Sequence, residues 1–367
     1  MRAAAVLEAL AQSYRVSVLT ATLYQSLAKQ LPDSLRQLCD DAVEIPAEQI
    51  GGSVAYQDQL FDVVHVFRLA SFTAAKPYLN DDRSRTSHLD LDDIESKTYR
   101  RIAALQRENH DENLARGSDA AARRAELLEV VAFRQFQRLY VCSEADRQEL
   151  LPRCQAEICV LPNVVHPPAS AAARTPDGVW RLLFVGTLGY YPNEDAVAYF
   201  CTRVLPLIRQ IANCPVEVTV AGFGASKRLR DAARNAGVQL VGLVPDLAPS
   251  YHGADTVIVP IRAGGGTRIK ILEAFAHGCP VVASTIGAEG IDALPEQHLL
   301  IADTPEAFAD CCLRLKQDRS LRERLIANAL ALVRRAHTPE ALQRTIDCLP
   351  EIRARREFPT RYRPLDG

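Results

Sequence analysis

The stretch that decides the fold reads Thr256-Val-Ile-Val-Pro-Ile-Arg-Ala-Gly-Gly-Gly-Thr-Arg-Ile-Lys-Ile-Leu-Glu-Ala-Phe-Ala-His-Gly-Cys-Pro-Val-Val-Ala-Ser284. Its apolar start, Thr256–Ile261, predicts a strand that is covered on both faces. A triglycine loop follows, and the apolar spacing after it predicts a helix. Gly278 and Pro280 come in the order in which helices usually end. The stretch therefore predicts strand, glycine loop, helix and a second strand.

The same alternation extends to both sides of this stretch. Further strands are predicted at Leu182–Val185, Val216–Ala221, Val238–Val241, Pro280–Ala283, Leu299–Ala302 and, in the first half, Val16–Thr20, Val63–Phe67, His88–Leu91 and Leu139–Cys142. Helical patterns lie between most of them, including Arg2–Ala11, Ile94–Arg107 and about 119–137, and Ser143 is placed to cap another helix. Strands alternating with helices indicate parallel βαβ units. We predict an α/β chain of two Rossmann-like domains that face a cleft.

The division into domains follows from a segment rich in Pro, Ala and Ser at 166–179, which reads as a linker. It predicts an N-terminal domain over 1–168, a C-terminal domain over 180–338, and a last helix and tail over 339–367. The first half opens on a helix, whereas a doubly wound half normally opens on a strand and a Gly-rich turn. We expect this domain to lack its first strand, with Met1 an internal start. The alternative is a divergent domain with another strand in that place.

Composition excludes several classes of protein. The net charge of −2 gives no basic field for nucleic acid, so we expect no nucleic-acid partner. No run of 18 apolar residues is present, as a membrane-spanning helix would require. The 10 cysteines form no C-x-x-C pair, which favours reduced thiols and a cytoplasmic location.

The glycine loop carries the chemistry. Gly264, Gly265 and Gly266 let the backbone approach a ligand closely, and the helix that follows offers unpaired N–H groups at its positive end, beginning with Thr267. The cations Arg268 and Lys270 complete an anion cradle whose natural guest is a diphosphate. Glu273 lies one turn on, on the same helix face as Lys270, where a ribose would meet it. The alternative is a tolerated glycine run before a solvated helix face.

The 264–284 segment resembles the signature of the retaining group 1 glycosyltransferases, which have the GT-B fold. The segments 183–187, 220–222 and 241–255 fit the same family. The resemblance implies that Arg268 and Lys270 hold the diphosphate of a nucleotide-sugar donor and that Glu273 holds its ribose. It also implies that Gly186 and Thr187 lie close to the donor and that Val244 lies near its base.

Two positions depart from the family pattern. Many members carry a glutamate eight residues before the equivalent of Glu273, near the donor sugar, and here that position is Gly265. The loop after Thr187 often supplies a phosphate-binding cation, and here it contains none. We expect the amides of the triglycine loop to serve in place of the missing glutamate. We expect Arg268 and Lys270 to bind the phosphates without the further cation.

The first half offers candidates for the acceptor side. The run Phe61–Arg68 looks like the family's strand leading into the cleft, so His65 is a candidate catalytic group and Arg68 a candidate acceptor contact. Asp90 and Asp92 are further acceptor-side candidates. For His65 the alternative is a core histidine. For the aspartates the alternatives are capping of the helix near Ile94, together with Glu95, and a metal site, although we expect no metal or other cofactor.

The sequence thus predicts a retaining enzyme that moves a sugar from a nucleotide sugar to a glycan, a lipid-linked acceptor or a small molecule. Two alternatives stay open: a non-catalytic subunit of a partner transferase, and a sugar-nucleotide epimerase. No G-x-G-x-x-G opens a βα unit, which argues against a Rossmann oxidoreductase. Arginine-rich helices and the tail segment Arg353–Arg363 suggest peripheral contact with the inner membrane surface; the alternative is a solvated charged face.

Overall fold

The computed structural model describes residues 2–21, 31–45, 55–56, 59–80, 84–168 and 178–349. The centre of the expected linker and the arginine-rich tail lie outside the described residues. The chain forms two compact units. Unit 1 comprises the described residues up to 92, Leu127–Val164 and the residues from Thr338; unit 2 comprises Asp93–Glu126 and Val165–His337. The segment 93–126, which the sequence-based boundaries place in the first half, therefore packs with the second.

Unit 1 is built on parallel strands. They are β1 (Ser17–Ala21), β2 (Asp41–Ile45), β3 (Phe61–Phe67), β4 (Ser84–Asp90), β5 (Arg138–Val141) and β6 (Glu157–Val160). Strands β3-β4-β5-β6 form one parallel sheet in that order, and β1 pairs with β2 separately. The register sets His65 beside His88 and Phe67 beside Asp90, so polar side chains collect toward the carboxyl ends of β3 and β4.

Helices cover this sheet. Those of unit 1 are α1 (Arg2–Leu10), α2 (Asp33–Arg36), α3 (Phe72–Ala75), α6 (Glu144–Leu150) and α15 (Pro339–Asp347). Val6 of α1 and Leu342 of α15 share one buried cluster with Tyr140 of β5. Ser143 caps α6 as predicted, since its hydroxyl accepts a hydrogen bond from the Asp146 amide at 3.2 Å. The last described helix thus belongs to the core of unit 1.

Unit 2 contains a parallel sheet of six strands. They are β7 (Trp180–Val185), β8 (Val216–Ala221), β9 (Gln239–Gly242), β10 (Thr256–Val259), β11 (Val281–Ala283) and β12 (Leu300–Ile301). The order β12-β11-β10-β7-β8-β9 puts β7 and β10 at the centre of the sheet. Both central strands are almost wholly buried, as their uninterrupted apolar sequences predict. The predicted α/β class with parallel sheets is confirmed.

The helices of unit 2 lie between and around these strands. They are α4 (Glu95–Glu108), α5 (Glu112–Ala132, whose last turns belong to unit 1), α7 (Tyr191–Tyr199), α8 (Leu205–Ile211), α9 (Lys227–Asn235), α10 (Ala248–Gly253), α11 (Ile269–Ala276), α12 (Thr285–Ala288), α13 (Pro305–Gln317) and α14 (Arg319–Ala336). A π-helical turn, Phe200–Val204, joins α7 to α8. Pro206 lies two residues after this turn, and its missing N–H accounts for the irregular turn. None of the helices described is both long and apolar enough to cross a bilayer.

Helix α11 is the element that positions the site. It follows β10 and the glycine loop, and Leu272 and Phe275 bury its apolar face in the core. Gly278 takes a φ of 69° just past its end, so the predicted helix stop is confirmed. Its amino end therefore lies near the carboxyl ends of β7 and β10, where open α/β sheets bind ligands.

Candidate active site

The three loop glycines are required for two different reasons. Gly264 and Gly266 have φ angles of 114° and 65°, which side chains other than glycine rarely adopt. Gly265 has no such angle. A Cβ there would instead overlap Asp93 Oδ1 and Thr98 Oγ1 and come within 3.1 Å of Asp93 Cγ. Position 265 is therefore restricted by a contact with the segment that leads into α4.

The loop presents a row of backbone donors. None of the five N–H groups from Gly264 to Arg268 donates a hydrogen bond to any described residue. Helix α11 begins immediately after them, at Ile269, with no side chain capping its amino end. Unpaired N–H groups at the positive end of a helix are a ready binding site for an anion. The geometry is that of the anion cradle predicted from the sequence.

Lys270 points from α11 toward the end of β7. Its Nζ donates to Asn193 Oδ1 at 2.7 Å and lies 4.3 Å from the centre of the Phe184 ring. A Cβ on Gly186 would come within 2.7 Å of the same Nζ. Burial, and then the nearby charge of Arg268, lower the pKa of Lys270 to about 7. The Lys270 amine can therefore carry a positive charge, but its hydrogen-bond partner is a neutral amide.

Arg268 folds back over the loop. Its guanidinium donates to the carbonyl of Gly265 and, at 3.5 Å, to that of Ile286. The residue is 8% exposed, and burial lowers its pKa against the opposing influence of Tyr190. Arg268 therefore fixes the loop and adds positive charge beside the row of amides.

Glu273 lies on the same face of α11. It accepts a hydrogen bond from the Tyr251 hydroxyl at 2.8 Å, and the His277 ring stacks on Tyr251 with centroids 4.9 Å apart. The same hydroxyl lies 3.4 Å from the backbone oxygen of Lys270. Tyr251 thus contacts both the Glu273 carboxylate and the His277 ring. Burial raises the pKa of Glu273, and the Tyr251 hydrogen bond opposes that shift.

The end of β7 is closely packed. Gly186 donates its N–H to Ala221 at 2.9 Å, and a Cβ on Gly222 would overlap the Gly186 carbonyl oxygen. Thr187 is exposed, and its carbonyl accepts from Asn193 Nδ2 at 2.9 Å. Val244 packs half-buried at the edge of the core. Binding of a donor by Gly186, Thr187 and Val244 stays a prediction.

Helix α4 lies over the glycine loop. Arg101 donates to the Gly264 carbonyl at 3.0 Å and forms an ion pair with Glu289, which Lys97 also contacts at 3.1 Å. On the other side, the Thr267 hydroxyl donates to the carbonyl of Gly290 at 3.1 Å. These contacts hold the loop in place. The contacts made by α4 were not predicted, because they join residues more than 160 positions apart.

In unit 1, Asp90 is the centre of a buried polar cluster. Arg2 Nε lies 2.6 Å and His65 Nε2 lies 3.4 Å from its two carboxylate oxygens. Arg2 also donates to the carbonyl of Leu161 at 2.7 Å. Burial alone would raise the pKa of Asp90, but the charge of Arg2 and the contact with His65 keep it below its ordinary value. Asp90 is 1% exposed, so its described partners are internal. A part in acceptor binding stays a prediction.

Arg68 and Asp92 form a more open pair at the same end of the sheet, with 2.8 Å between Arg68 Nη2 and Asp92 Oδ2. The N-cap residue of α4 is Ile94, whose side chain makes no capping hydrogen bond. Asp93 accepts a hydrogen bond from Thr98 Oγ1 at 2.6 Å, and capping of α4 by an aspartate stays a prediction. Among the described residues, no group of three His, Cys, Asp or Glu side chains is placed to hold a metal ion.

A cavity of about 800 Å³ opens at the carboxyl ends of β10, β11 and β12. Neither Lys270 nor Glu273 lines it. Of the three arginines that line it, Arg262 is paired with Asp195 at 2.8 Å and with Glu108 at 2.6 Å. The amino end of α11 offers a row of unpaired N–H groups beside its cations, and this favours it as the site for a diphosphate.

Fold and site together define the class. Two parallel α/β units, one with a glycine loop leading into a helix from the central strand, are the GT-B architecture of glycosyltransferases, and known GT-B structures match the chain over most of its length. Residues 180–318 match the family described as Glycosyl transferases group 1. The resemblance predicted from the sequence is confirmed over this part of the chain.

Individual relatives agree with this assignment. The phosphatidyl-myo-inositol mannosyltransferase of Mycobacterium leprae is 32% identical over 182 residues, which is 48% of this chain and 48% of the relative. Sucrose-phosphate synthase from Thermosynechococcus elongatus has a TM-score of 0.71 at 16% identity, covering 97% of this chain and 92% of that one. Anabaena HepE, solved with UDP and glucose, has a TM-score of 0.66 at 14% identity, covering 93% of each chain. The chain spans about half the length of the curated relatives it matches.

Proposed function

We propose that this protein transfers a sugar from a nucleotide-sugar donor to an acceptor, with its catalytic centre at the amino end of α11. The row of free amides from Gly264 to Arg268, with Lys270 beside it, carries the proposal. This array offers several donors and two cations to one anion without any rearrangement of the backbone. A diphosphate is the anion that a nucleotide sugar brings.

The chemistry follows from the charge that develops during transfer. When the sugar leaves, negative charge grows on the diphosphate oxygen to which it was bonded. Donors fixed at that oxygen stabilise the transition state more than the ground state. In this proposal the loop amides, Arg268 and Lys270 supply that stabilisation, while Glu273 accepts hydrogen bonds from the ribose. Retention of the anomeric configuration is proposed from the family resemblance.

The comparisons support the donor class more than the acceptor. Anabaena HepE was solved with UDP and glucose, and several relatives are named phosphatidyl-myo-inositol mannosyltransferases. We therefore propose a hexose or related sugar on a nucleoside diphosphate. For the acceptor we propose a sugar or lipid-linked molecule bound by unit 1, where His65, Arg68, Asp90 and Asp92 are the candidate contacts.

The proposal is tested by measuring melting temperatures with a panel of nucleotide sugars and then the turnover of the donor that binds. A donor at 100 times its Kd stabilises the protein by about 2.7 kcal/mol. We expect Lys270→Ala to lower kcat at least about 100-fold, the scale for losing one oxyanion donor. The exposed Lys227 on α9 gives the matched control, and Lys227→Ala retains full turnover.

Two outcomes would overturn the proposal. One is a panel in which no nucleotide sugar raises the melting temperature. The other is near wild-type turnover by the Lys270→Ala variant. Conversion of the donor without any acceptor would point to an epimerase instead.

A further inference from the structure

We infer that Asp93, in the turn before α4, supplies a carboxylate that binds hydroxyl groups of the donor's sugar. The inference rests on the proposed function, because it concerns the sugar end of the same site. It gives the site a sugar-specific group that comes from outside the 180–318 segment matched by the family. It also gives a reason for glycine at position 265.

The first observation is the contact between Asp93 and the glycine loop. The Asp93 carboxylate lies so close to Gly265 that a Cβ at 265 would overlap its Oδ1 and lie 3.1 Å from its Cγ. The φ angle of Gly265 falls outside the left-handed region, unlike those of its two neighbours. The backbone at 265 would thus accept a side chain, and the contact with Asp93 and Thr98 excludes it.

The second observation is that the carboxylate is held in place. Thr98 Oγ1 donates to Asp93 Oδ2 at 2.6 Å from the first turn of α4. The same helix is tied to the loop farther along, where Arg101 donates to the Gly264 carbonyl. A carboxylate fixed in this way needs little reordering when a ligand arrives, which favours affinity.

The third observation is the surrounding charge. Asp93 interacts electrostatically with Arg268 and with Tyr190, both of which border the loop. Glu289, the other nearby carboxylate, forms ion pairs with Lys97 and Arg101. Of these two carboxylates, Asp93 is the one that a side chain at position 265 would overlap.

The chemistry of the ligand follows. A sugar bonded to a diphosphate at the loop amides begins one bond beyond the terminal phosphate, and it carries several hydroxyl donors. A carboxylate is an acceptor for two or more such donors, and hydrogen bonds to a charged group are the stronger kind. Asp93 would repel the diphosphate itself, since both are negative. Removal of Asp93 should consequently weaken binding of the nucleotide sugar without weakening binding of the nucleotide.

The test compares two dissociation constants for each variant, measured by calorimetry. The probes are UDP with UDP-glucose, UDP with UDP-N-acetylglucosamine, and GDP with GDP-mannose, and the pair that wild type binds best is used. For Asp93→Ala we expect the ratio of the Kd of the nucleotide sugar to the Kd of the nucleotide to rise at least about 10-fold. Asp93→Asn should raise it less, and Asp231→Asn, on the exposed surface of α9, should leave it unchanged.

The outcomes separate this inference from the proposed function. If Asp93→Ala keeps the wild-type ratio within threefold, the inference is overturned, whether or not both constants rise together. If wild type binds none of the three pairs, the proposed function itself fails. Thermal melts of each variant show that the comparison is made between folded proteins.

Discussion

The ammonium of Lys270 donates its described hydrogen bond to the side-chain oxygen of Asn193, at 2.7 Å. This neutral partner cannot balance the charge, and burial and Arg268 both disfavour it. The pKa of about 7 is the result. A bound diphosphate would supply the missing negative charge, so binding and protonation of Lys270 are linked.

Donor affinity should therefore depend on pH. In the free protein the pKa of Lys270 is about 7. We expect the negative charge of a bound diphosphate to raise that pKa. We expect nucleotide-sugar affinity to be constant below pH 7 and to fall up to tenfold per unit above it. Calorimetry in buffers of different ionisation enthalpy should report uptake of about half a proton at pH 7. Equal proton uptake by Lys270→Met would contradict the assignment.

The same lysine should destabilise the free protein. The pKa of Lys270 is about 7 in the folded protein and 10.5 in the unfolded chain, so the unfolded chain binds more protons between these two pH values. The loss of stability caused by the buried charge is complete below pH 7 and disappears above pH 10.5. Lys270→Met should raise the melting temperature at pH 6.5 by roughly 2–4 °C per kcal/mol recovered, while weakening donor binding. A lower melting temperature at that pH would refute the buried-charge account.

Glycine substitutions should separate binding from folding. In Gly186→Ala the new Cβ meets the side-chain ends of Lys270 and Asn193, which can shift without moving the backbone, so the fold survives and donor affinity falls about tenfold. In Gly222→Ala it meets the rigid carbonyl of Gly186, so the protein should fold poorly. Gly117→Ala, which meets nothing within 4 Å, is the control and should be neutral or slightly stabilising. Titration with donor and thermal melts check all three, and wild-type affinity in Gly186→Ala would speak against this packing.

Glu273 should recognise the ribose. We expect Glu273→Ala to weaken nucleotide binding about 10- to 100-fold, the range for a hydrogen bond to a charged group. Wild type should discriminate against a 2′-deoxynucleotide, and the variant should not. Tyr251→Phe removes only the hydroxyl that holds Glu273, at 2.8 Å, and should have a smaller effect. If the Glu273→Ala variant still discriminates against the 2′-deoxynucleotide, the ribose is bound elsewhere.

The Asp90 cluster should stabilise unit 1. Removing one partner of a buried ion pair costs about 3–5 kcal/mol, so Asp90→Asn should lower the free energy of unfolding by that amount at pH 7. The exposed pair of Arg85 and Asp62, 3.8 Å apart, gives the control, and Asp62→Asn should cost less than about 1 kcal/mol. Because the folded pKa of Asp90 is lowered, its contribution is lost as pH falls through that value. Denaturant titrations measure the free energy of unfolding of both variants. Equal losses for Asp90→Asn and Asp62→Asn would contradict a stabilising role of the buried cluster.

Local sequence pattern was sufficient to predict much of the fold. The apolar run at Thr256–Ile261, the glycine loop and the Gly278 stop are short-range signals, and each structural element they predict is present. The short strands β2 and β6 were not predicted. The first alternates weakly over Asp41–Ile45, and the second is only four residues long and begins at Glu157, so neither shows a clear period.

The site was less predictable, because its decisive contacts are long-range. Nothing local marks Asn193 as the partner of Lys270, 77 positions away, or Asp93 as the group that excludes a side chain at position 265. Such tertiary contacts override local preference and leave no periodic trace in the sequence.

The most direct test of the central claim is a crystal structure of the protein with the nucleoside diphosphate that the melting panel selects. The account predicts terminal phosphate oxygens within about 3.2 Å of the amides between Gly264 and Arg268, with the Lys270 ammonium turned from Asn193 toward the phosphate. A diphosphate bound elsewhere, for example beside Arg262 in the cavity at the ends of β10–β12, would contradict it.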